Sequence, residues 1–399
     1  MNDIWVEPTA MATGGAALAR DTGGRVVFVE GALPGERVRA RLTEEGKDFA
    51  RAVAVEILGP SPDRVAPPCA ALAAGCGGCT WQHVSADAQS RLKVGIVVDA
   101  LRRIAKLADP PPVLVDHLPG RARRTTARLA VSAGGRAGHR PRAGTGAVET
   151  DACLAAHPLL EELIVDGRYP GAREVLLRVG VASGERLVSV DRAAQATRVP
   201  AGVHVVAQKD QRSAFVHEEV CGRRFRIGAG SFFQSGPAVA TALASAVSDA
   251  TGDALPPGGV LVDAYAGVGL FASVLGAARA AQVVAVESDR SAVADARANL
   301  ADLDAVVVPS EVGRWDPVPA DVVVADPART GLGRPGVASL VATGAPRLVL
   351  VSCDPASMAR DTALLAAVGY RLEAVTVVDA FPDTFHVETV SRFDRTGAH

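Results

Sequence analysis

Along the first sixty residues apolar and polar positions alternate in short runs. Arg25 to Val29 (RVVFV), Glu36 to Leu42 (ERVRARL) and Phe49 to Leu58 (FARAVAVEIL) are separated by turn formers such as Leu33-Pro34-Gly35. A period of two with glycine and proline punctuation predicts a small antiparallel barrel of the OB-like kind. Some such barrels bind nucleic acid and many do not, so the pattern alone assigns no partner. The stretch from Pro60 to Pro68 holds four prolines and reads as a linker. Ser85 to Leu107 then changes period: Leu92, Ile96, Val97, Leu101 and Ile104 fall at helical spacing among charged residues. That spacing predicts an amphipathic helix.

Beyond Pro110 to Pro112, residues 113–226 mix strand-like runs, Glu174 to Val179 and Arg186 to Val190, with many turn formers. From Gly258 onward the pattern changes again. Val260 to Asp263, Val283 to Val286, Ala305 to Val308, Val322 to Ala325 and Arg347 to Val351 are nearly continuous apolar runs, as buried parallel strands are. Helical stretches lie between them. The alternation predicts a doubly wound α/β sheet, whose ligand site lies beyond the carboxyl ends of its strands.

A chain of 399 residues with 48% hydrophobic content is long enough for two or three domains. Met1 to Thr13 carries Asp3 and Glu7 where an export signal would be basic, and no apolar stretch is long enough to cross a bilayer. The expectation is a monomeric cytoplasmic protein with no membrane partner. Six cysteines, unevenly spread, favour metal binding or catalysis over a disulfide framework. The net charge of −2 hides two unlike halves. Residues 1–227 hold 31 Lys and Arg against 25 Asp and Glu, whereas residues 228–399 hold 11 against 19. Between Leu118 and Val148, Arg121, Arg123, Arg124, Arg128, Arg136, Arg140 and Arg142 stand among no acidic residue. Such a stretch is either a phosphate-binding surface or an ordinary solvated one.

Candidate chemistry falls at the predicted strand ends. Asp263 to Gly269 (DAYAGVG) places a carboxylate and a G-x-G turn after the first α/β strand, and Glu287 ends the second, where it can accept from a ribose diol. A nicotinamide site fits almost as well. Ala272 stands where the dinucleotide fingerprint has its third glycine, which favours a methyl donor without excluding nicotinamide. Cys353 follows an apolar strand and precedes a helix near Pro355, where the helix dipole favours a thiolate. Its plain alternative is a small buried residue. Asp326 ends another strand with Arg329 three residues on, a pattern that also describes a turn-stabilising ion pair.

Taken in order, GSFFQ (Gly230 to Gln234), DAYAGVG, DPARTG (Asp326 to Gly331), SCDP (Ser352 to Pro355) and FPDTFHVE (Phe381 to Glu388) resemble the RNA uracil-5 methyltransferase family over nearly the whole chain. The resemblance implies a class I, Rossmann-like methyltransferase domain that uses S-adenosyl-L-methionine. It implies Cys353 as nucleophile and Glu388 as proton-abstracting base, with Gln234, Tyr265, Glu287 and Asp326 contacting the cofactor. The chemistry requires such a pair, because uracil C5 is too weak a nucleophile until a thiolate adds at C6, and the C5 proton must later leave. Where asparagine is familiar after the nucleophile, this chain has Asp354, a carboxylate that raises the thiol pKa unless paired.

Cys69, Cys76 and Cys79 form C-x6-C-G-G-C, and Cys153 lies beyond the arginine-rich stretch. Four thiols suit tetrahedral zinc or an iron–sulfur cluster, and spacing does not choose between them. The family resemblance implies a four-iron, four-sulfur cluster within a central α+β domain; Cys221 is assigned to packing. The N-terminal barrel resembles a TRAM domain, an RNA-binding module. The domain expectation is therefore a barrel over 1–58, a central cysteine-cluster domain over 59–84 and 108–226, and a methyltransferase domain over 85–107 and 227–399. The implied partner is structured RNA, 23S rRNA ahead of tRNA. The rival readings are a tRNA enzyme, an inactive RNA-binding assembly factor and a nicotinamide-dependent oxidoreductase.

Overall fold

The computed structural model describes residues 3–118, 120–142, 144–279 and 281–397. Its N-terminal unit comprises β1 (Asp3–Val6), β2 (Ala10–Met11), β3 (Ala17–Arg20), β4 (Val26–Glu30), β5 (Arg37–Glu45) and β6 (Phe49–Leu58). They form one mostly antiparallel sheet in the order β1-β5-β6-β4-β3-β2. The register of β5 against β6 shifts twice, between Arg39 and Ala40 and between Leu42 and Glu44. Irregularities of this kind bend a strand so that a small sheet can curl round its own core. That core holds Val27, Val29, Val38 and Ala50, and Trp81 joins it from the cysteine segment.

Helix α1 (Ala70–Ala73), helix α2 (Ala86–Arg103) and strand β7 (Val113–Asp116) come next. Val97 and Leu101 of α2 are fully buried in a cluster with Met358, Val375 and Val377. At roughly 2 kcal/mol for each buried aliphatic side chain, this contact fixes α2 to the C-terminal part of the molecule. Strand β7 departs from the expectation. It was grouped with residues 108–226 from sequence, but it pairs in parallel with the last part of the α/β sheet, Val113 opposite Val375.

The central sheet contains β8 (Thr126–Val131), β9 (Ala137–His139), β10 (Val148–Glu149), β11 (Glu174–Val179), β12 (Arg186–Val190) and β13 (Val203–Ala207), with helix α3 (Pro158–Val165) between β10 and β11. Their order is β10-β9-β8-β11-β12-β13. A separate hairpin, β14 (Phe215–Val220) and β15 (Arg223–Gly228), leads onward. Cys221 lies exposed in its turn at φ 50°, so it does not serve packing.

The C-terminal half alternates α4 (Pro237–Thr251), β16 (Val260–Ala264), α5 (Leu270–Arg279), β17 (Gln282–Glu287), α6 (Arg290–Asn299), β18 (Ala305–Pro309), β19 (Val322–Ala325), α7 (Gly333–Ala342), β20 (Arg347–Ser352), α8 (Pro355–Ala366), β21 (Tyr370–Val378) and β22 (Glu388–Arg395). The eight-stranded order is β18-β17-β16-β19-β20-β22-β21-β7, with β22 antiparallel to both neighbours. Two apolar clusters cover its faces. The strand order reverses between β16 and β19, and a doubly wound sheet opens a ligand crevice at such a reversal. No helix among the described residues is long and apolar enough to cross a membrane.

Candidate active site

Strand β20 ends at Ser352 and α8 starts at Pro355, so Cys353 occupies the turn between them. Asp354 caps that helix: its Oδ1 accepts from the Ser357 backbone N–H at 2.7 Å and from the Ser357 hydroxyl at 2.9 Å. The carboxylate that threatened the thiol is thus paired as a helix cap. The Ser357 hydroxyl also lies 2.8 Å from the Arg329 carbonyl, shares its one proton between that oxygen and Asp354, and ties the DPARTG loop to the nucleophile's turn. Asp361 secures the same loop from α8, accepting from Leu332 and Gly333 N–H at 2.7 and 3.0 Å.

Glu388 opens β22 and is buried. In the antiparallel register Ser352 pairs with Thr389, so the residue after β20 lies opposite the residue that begins β22. Cys353 and Glu388 meet by that register, and Asp326 ends the neighbouring β19, where Ala325 pairs with Leu350. Cys353 lines a cavity of about 240 Å³ with Arg329, Phe385, His386 and, from the N-terminal sheet's β2–β3 turn, Thr13 and Gly14.

The electrostatics differ from the expectation. Burial, reinforced by the Glu388 carboxyl, pushes the Cys353 thiol up to about 11, against the opposing pull of Arg329. Burial also raises Asp326, and it raises Glu388 well above the usual carboxylate range, with the Asp326 charge adding to the shift and Arg329 opposing it. Two buried carboxyls this near each other favour holding a proton. Burial, then Arg329, Arg124 and Lys93, lowers His386 to about 4, so its ring is neutral near pH 7.

A second cavity, about 250 Å³, lies at the switch point and is lined by Tyr265, Glu287, Ser310, Glu311, Val312, Leu332, Pro335 and Gly336. Tyr265 has φ 63°, a left-handed conformation that turns the chain out of β16. Glu287 Oε2 accepts from Gly267 N–H at 2.8 Å, and its Oε1 accepts from Ser288 and Asp289 N–H, both at 2.7 Å. A carboxylate has about four acceptor positions, which leaves capacity for a ligand hydroxyl. Gly336 forms part of the cradle, because a methyl there would stand 2.9 Å from the Tyr265 hydroxyl. Of the four expected cofactor residues, Tyr265 and Glu287 share this cavity. Asp326 sits beside it, its N–H donating to the Ala264 carbonyl at 3.2 Å, whereas Gln234 is buried outside both cavity linings. Asp263, beneath the turn, is fully buried; Oδ2 accepts from Ala272 N–H at 2.8 Å and Oδ1 has no partner among the described residues. Burial pushes it up to about 8.

Cys69, Cys76, Cys79 and Cys153 line one further cavity, and His139, which the sequence reading missed, lines it with them. The Gly78 N–H donates to Cys76 Sγ at 3.4 Å, and His139 Nε2 lies 3.8 Å from Cys153 Sγ. All six cysteines are free thiols. Among the described residues no three His, Cys, Asp or Glu side chains form a group suited to a metal ion.

The structure divides the arginine-rich stretch. Arg123 is buried, and donates to the Pro382 carbonyl at 2.5 Å and to the Gly120 carbonyl. Arg128 and Arg140 share Glu174, at 2.7 and 2.9 Å, while Arg136 pairs with Asp151 at 2.7 Å. Acidic residues outside the stretch thus pair with three of its seven arginines. Arg121, Arg124 and Arg142 have no ion pair among the described residues.

Residues 3–55 match the TRAM domain model. Over 97% of this chain and 91% of the relative, the sequence is 39% identical to an uncharacterized RNA methyltransferase of Streptomyces coelicolor. It is 34% identical, over 93% of each chain, to the 23S rRNA (uracil(1939)-C(5))-methyltransferase RlmD of Methylococcus capsulatus. The fold matches the Pyrococcus abyssi tRNA (uracil-54, C5)-methyltransferase, solved with S-adenosyl-L-homocysteine, at a TM-score of 0.72 and 23% identity, covering 97% of this chain and 99% of that one. The chain belongs to the RNA uracil-5 methyltransferase family, and is an RNA (uracil-C5-)-methyltransferase with an N-terminal TRAM domain.

Proposed function

We propose that the protein forms 5-methyluridine in 23S rRNA, using S-adenosyl-L-methionine, with Cys353 as covalent nucleophile and Glu388 as base. The observation that carries this reading is the β20–β22 register, which sets Cys353 opposite a buried Glu388 beside a cavity bordered by the TRAM unit. Cys353, as thiolate, adds to uracil C6, and the ring's electron pair moves toward C5 and the C4 carbonyl. Arg329 is the cation that favours that thiolate. Adenosylmethionine, when bound, supplies an electrophilic methyl group. Tyr265 and Glu287 line the cavity that would hold it and Asp326 lies beside them, whereas Gln234, outside that lining, is assigned by the family resemblance alone. After C5 has taken the methyl group, leaving S-adenosylhomocysteine, the ionised Glu388 takes the proton from C5, the C5–H electron pair forms the C5–C6 double bond, and the C6–S bond breaks to return the thiolate. The ring must leave its stack to reach Cys353, so loops and distorted helices are the fitting substrates.

The preference for 23S rRNA rests on the RlmD relative, since the tRNA enzyme shares the fold at lower identity. The cysteine cavity supports a four-iron, four-sulfur cluster. Its four thiols line one cavity, and four cysteine thiolates are the ligand set such a cluster takes. Nucleoside analysis of 23S rRNA and tRNA from cells lacking the protein tests the substrate. Loss of 5-methyluridine from 23S rRNA is expected; loss from tRNA alone would reassign it.

A further inference from the structure

Between β21 and β22 the chain forms a strap, residues 379–387, that ends on Glu388. Its backbone is held from outside its own sheet. The Lys93 ammonium, fully buried on α2, lies 2.6 Å from Asp379 Oδ1 and donates to the Phe381 carbonyl at 3.0 Å. Arg123 donates to the next carbonyl, Pro382. Gln89, one helical turn before Lys93, accepts from Asp383 N–H at 2.7 Å and donates to Asp383 Oδ1 at 3.2 Å. The Asp383 carbonyl accepts from Trp81 N–H at 2.8 Å, two residues after Cys79.

Asp383 sits at φ 63°, a conformation that costs a non-glycine residue about 1 kcal/mol and persists where the surroundings impose it. Further along, a methyl on Gly15 of the N-terminal unit would overlap Phe385, so that neighbour also packs closely on the strap. A buried lysine is costly unless paired, and a well-packed apolar residue often serves stability as well. Stability alone therefore gives little reason for Lys93. Its two contacts bracket the place where the chain turns away from β21, and the strap closes where Val378 pairs with Glu388. Cys353 is anchored separately by the Asp354 cap and the Ser357 contacts.

We propose that Lys93, assisted by Gln89, is a positioning residue for the base: it fixes the strap so that the Glu388 carboxyl stands at the C5 proton. This rests on Glu388 being the base. Loosening the strap then slows proton removal while leaving thiolate addition and methyl transfer in place.

The test uses the full-length protein, methyl-labelled adenosylmethionine and total RNA from cells lacking the protein. Lys93→Met should give at least a tenfold rise in labelled protein–RNA adduct that survives denaturation, with a matching fall in released methylated RNA. Gln89→Leu should act in the same direction, and decides the matter if Lys93→Met does not fold. Wild-type release with no added adduct would overturn the inference, as would loss of adduct and methyl transfer together. If wild type itself methylates no RNA, the proposed function fails first; if Glu388→Gln traps adduct and the strap variants do not, only the inference fails.

Discussion

Ser352 and Thr389 pair across β20 and β22, and the Thr389 hydroxyl donates to the Ser352 carbonyl at 3.2 Å. That one register sets the spacing of the nucleophile and the base, because Cys353 and Glu388 are the adjacent residues on each chain. Moving the pairing by one residue would turn Glu388 to the opposite face of the sheet.

Burial holds the Cys353 thiol near 11, so only a small fraction is thiolate at neutral pH. Under single-turnover conditions adduct formation should rise about tenfold per pH unit between 7 and 9, following that fraction. Arg329→Ala removes the opposing cation and should slow adduct formation by about tenfold at pH 7.5. A rate flat from pH 7 to 9 would show that the thiol ionises differently in the working complex.

Asp263 gives a stability signature. Its folded pKa, about 8, lies above the ordinary carboxylate value, so the native state binds the extra proton between about pH 4 and 8. Its stabilising contribution is present at low pH and is lost as pH rises through about 8. Asp263→Asn should remove this slope, gaining on wild type by an amount on the order of a few kcal/mol across that window. Denaturant melts at pH 5 and pH 8 would show it, and parallel pH profiles would refute it.

Arg123 and Arg121 should behave differently although they are two residues apart. Arg123→Ala leaves the Pro382 carbonyl without its donor, and should cost about 2 kcal/mol in stability. The exposed pair Arg121→Ala and Arg142→Ala should leave stability unchanged while lowering the slope of RNA affinity against salt. Filter-binding titrations at several salt concentrations separate these outcomes.

Gly336 lies on α7 against Tyr265. Gly336→Val should push the phenol into the cofactor cavity and raise the KM for adenosylmethionine about tenfold, and the thermal shift the cofactor gives should shrink. An unchanged shift would place the cofactor elsewhere.

Much of this candidate site is legible in the sequence because its residues lie at strand ends, and strands announce themselves by apolar runs. Cys353, Asp326 and Glu287 stand out as candidates that way, and a family resemblance supplies Glu388 and Gln234. What stayed hidden depends on partners distant in sequence. Arg123 reads as a phosphate contact until Pro382 accepts its proton, 259 residues away. Lys93 occupies an ordinary position in an amphipathic helix, and its burial is visible only once the 379–387 strap meets it. Strand β7 has too few residues to show which sheet it joins. His139 lacks any motif, and only folding brings it to Cys153. The helix terminus beside Cys353 can be read from sequence, whereas the burial and the Glu388 carboxyl that push its thiol up cannot.

Iron analysis tests the cysteine cavity. Protein purified without oxygen should be brown and contain about four irons per chain. Cys153→Ser should lower its melting temperature more than it slows chemistry in the folded remainder. A colourless protein with one tightly held zinc would reject the cluster.

The most direct measurement is a denaturing gel of protein mixed with methyl-labelled adenosylmethionine and unmodified 23S rRNA, run for wild type, Cys353→Ala and Glu388→Gln. Wild type should release labelled RNA, Cys353→Ala should give neither adduct nor methylated RNA, and Glu388→Gln should accumulate a labelled covalent adduct. Methylated RNA produced by Cys353→Ala at the wild-type rate would contradict covalent catalysis through this cysteine.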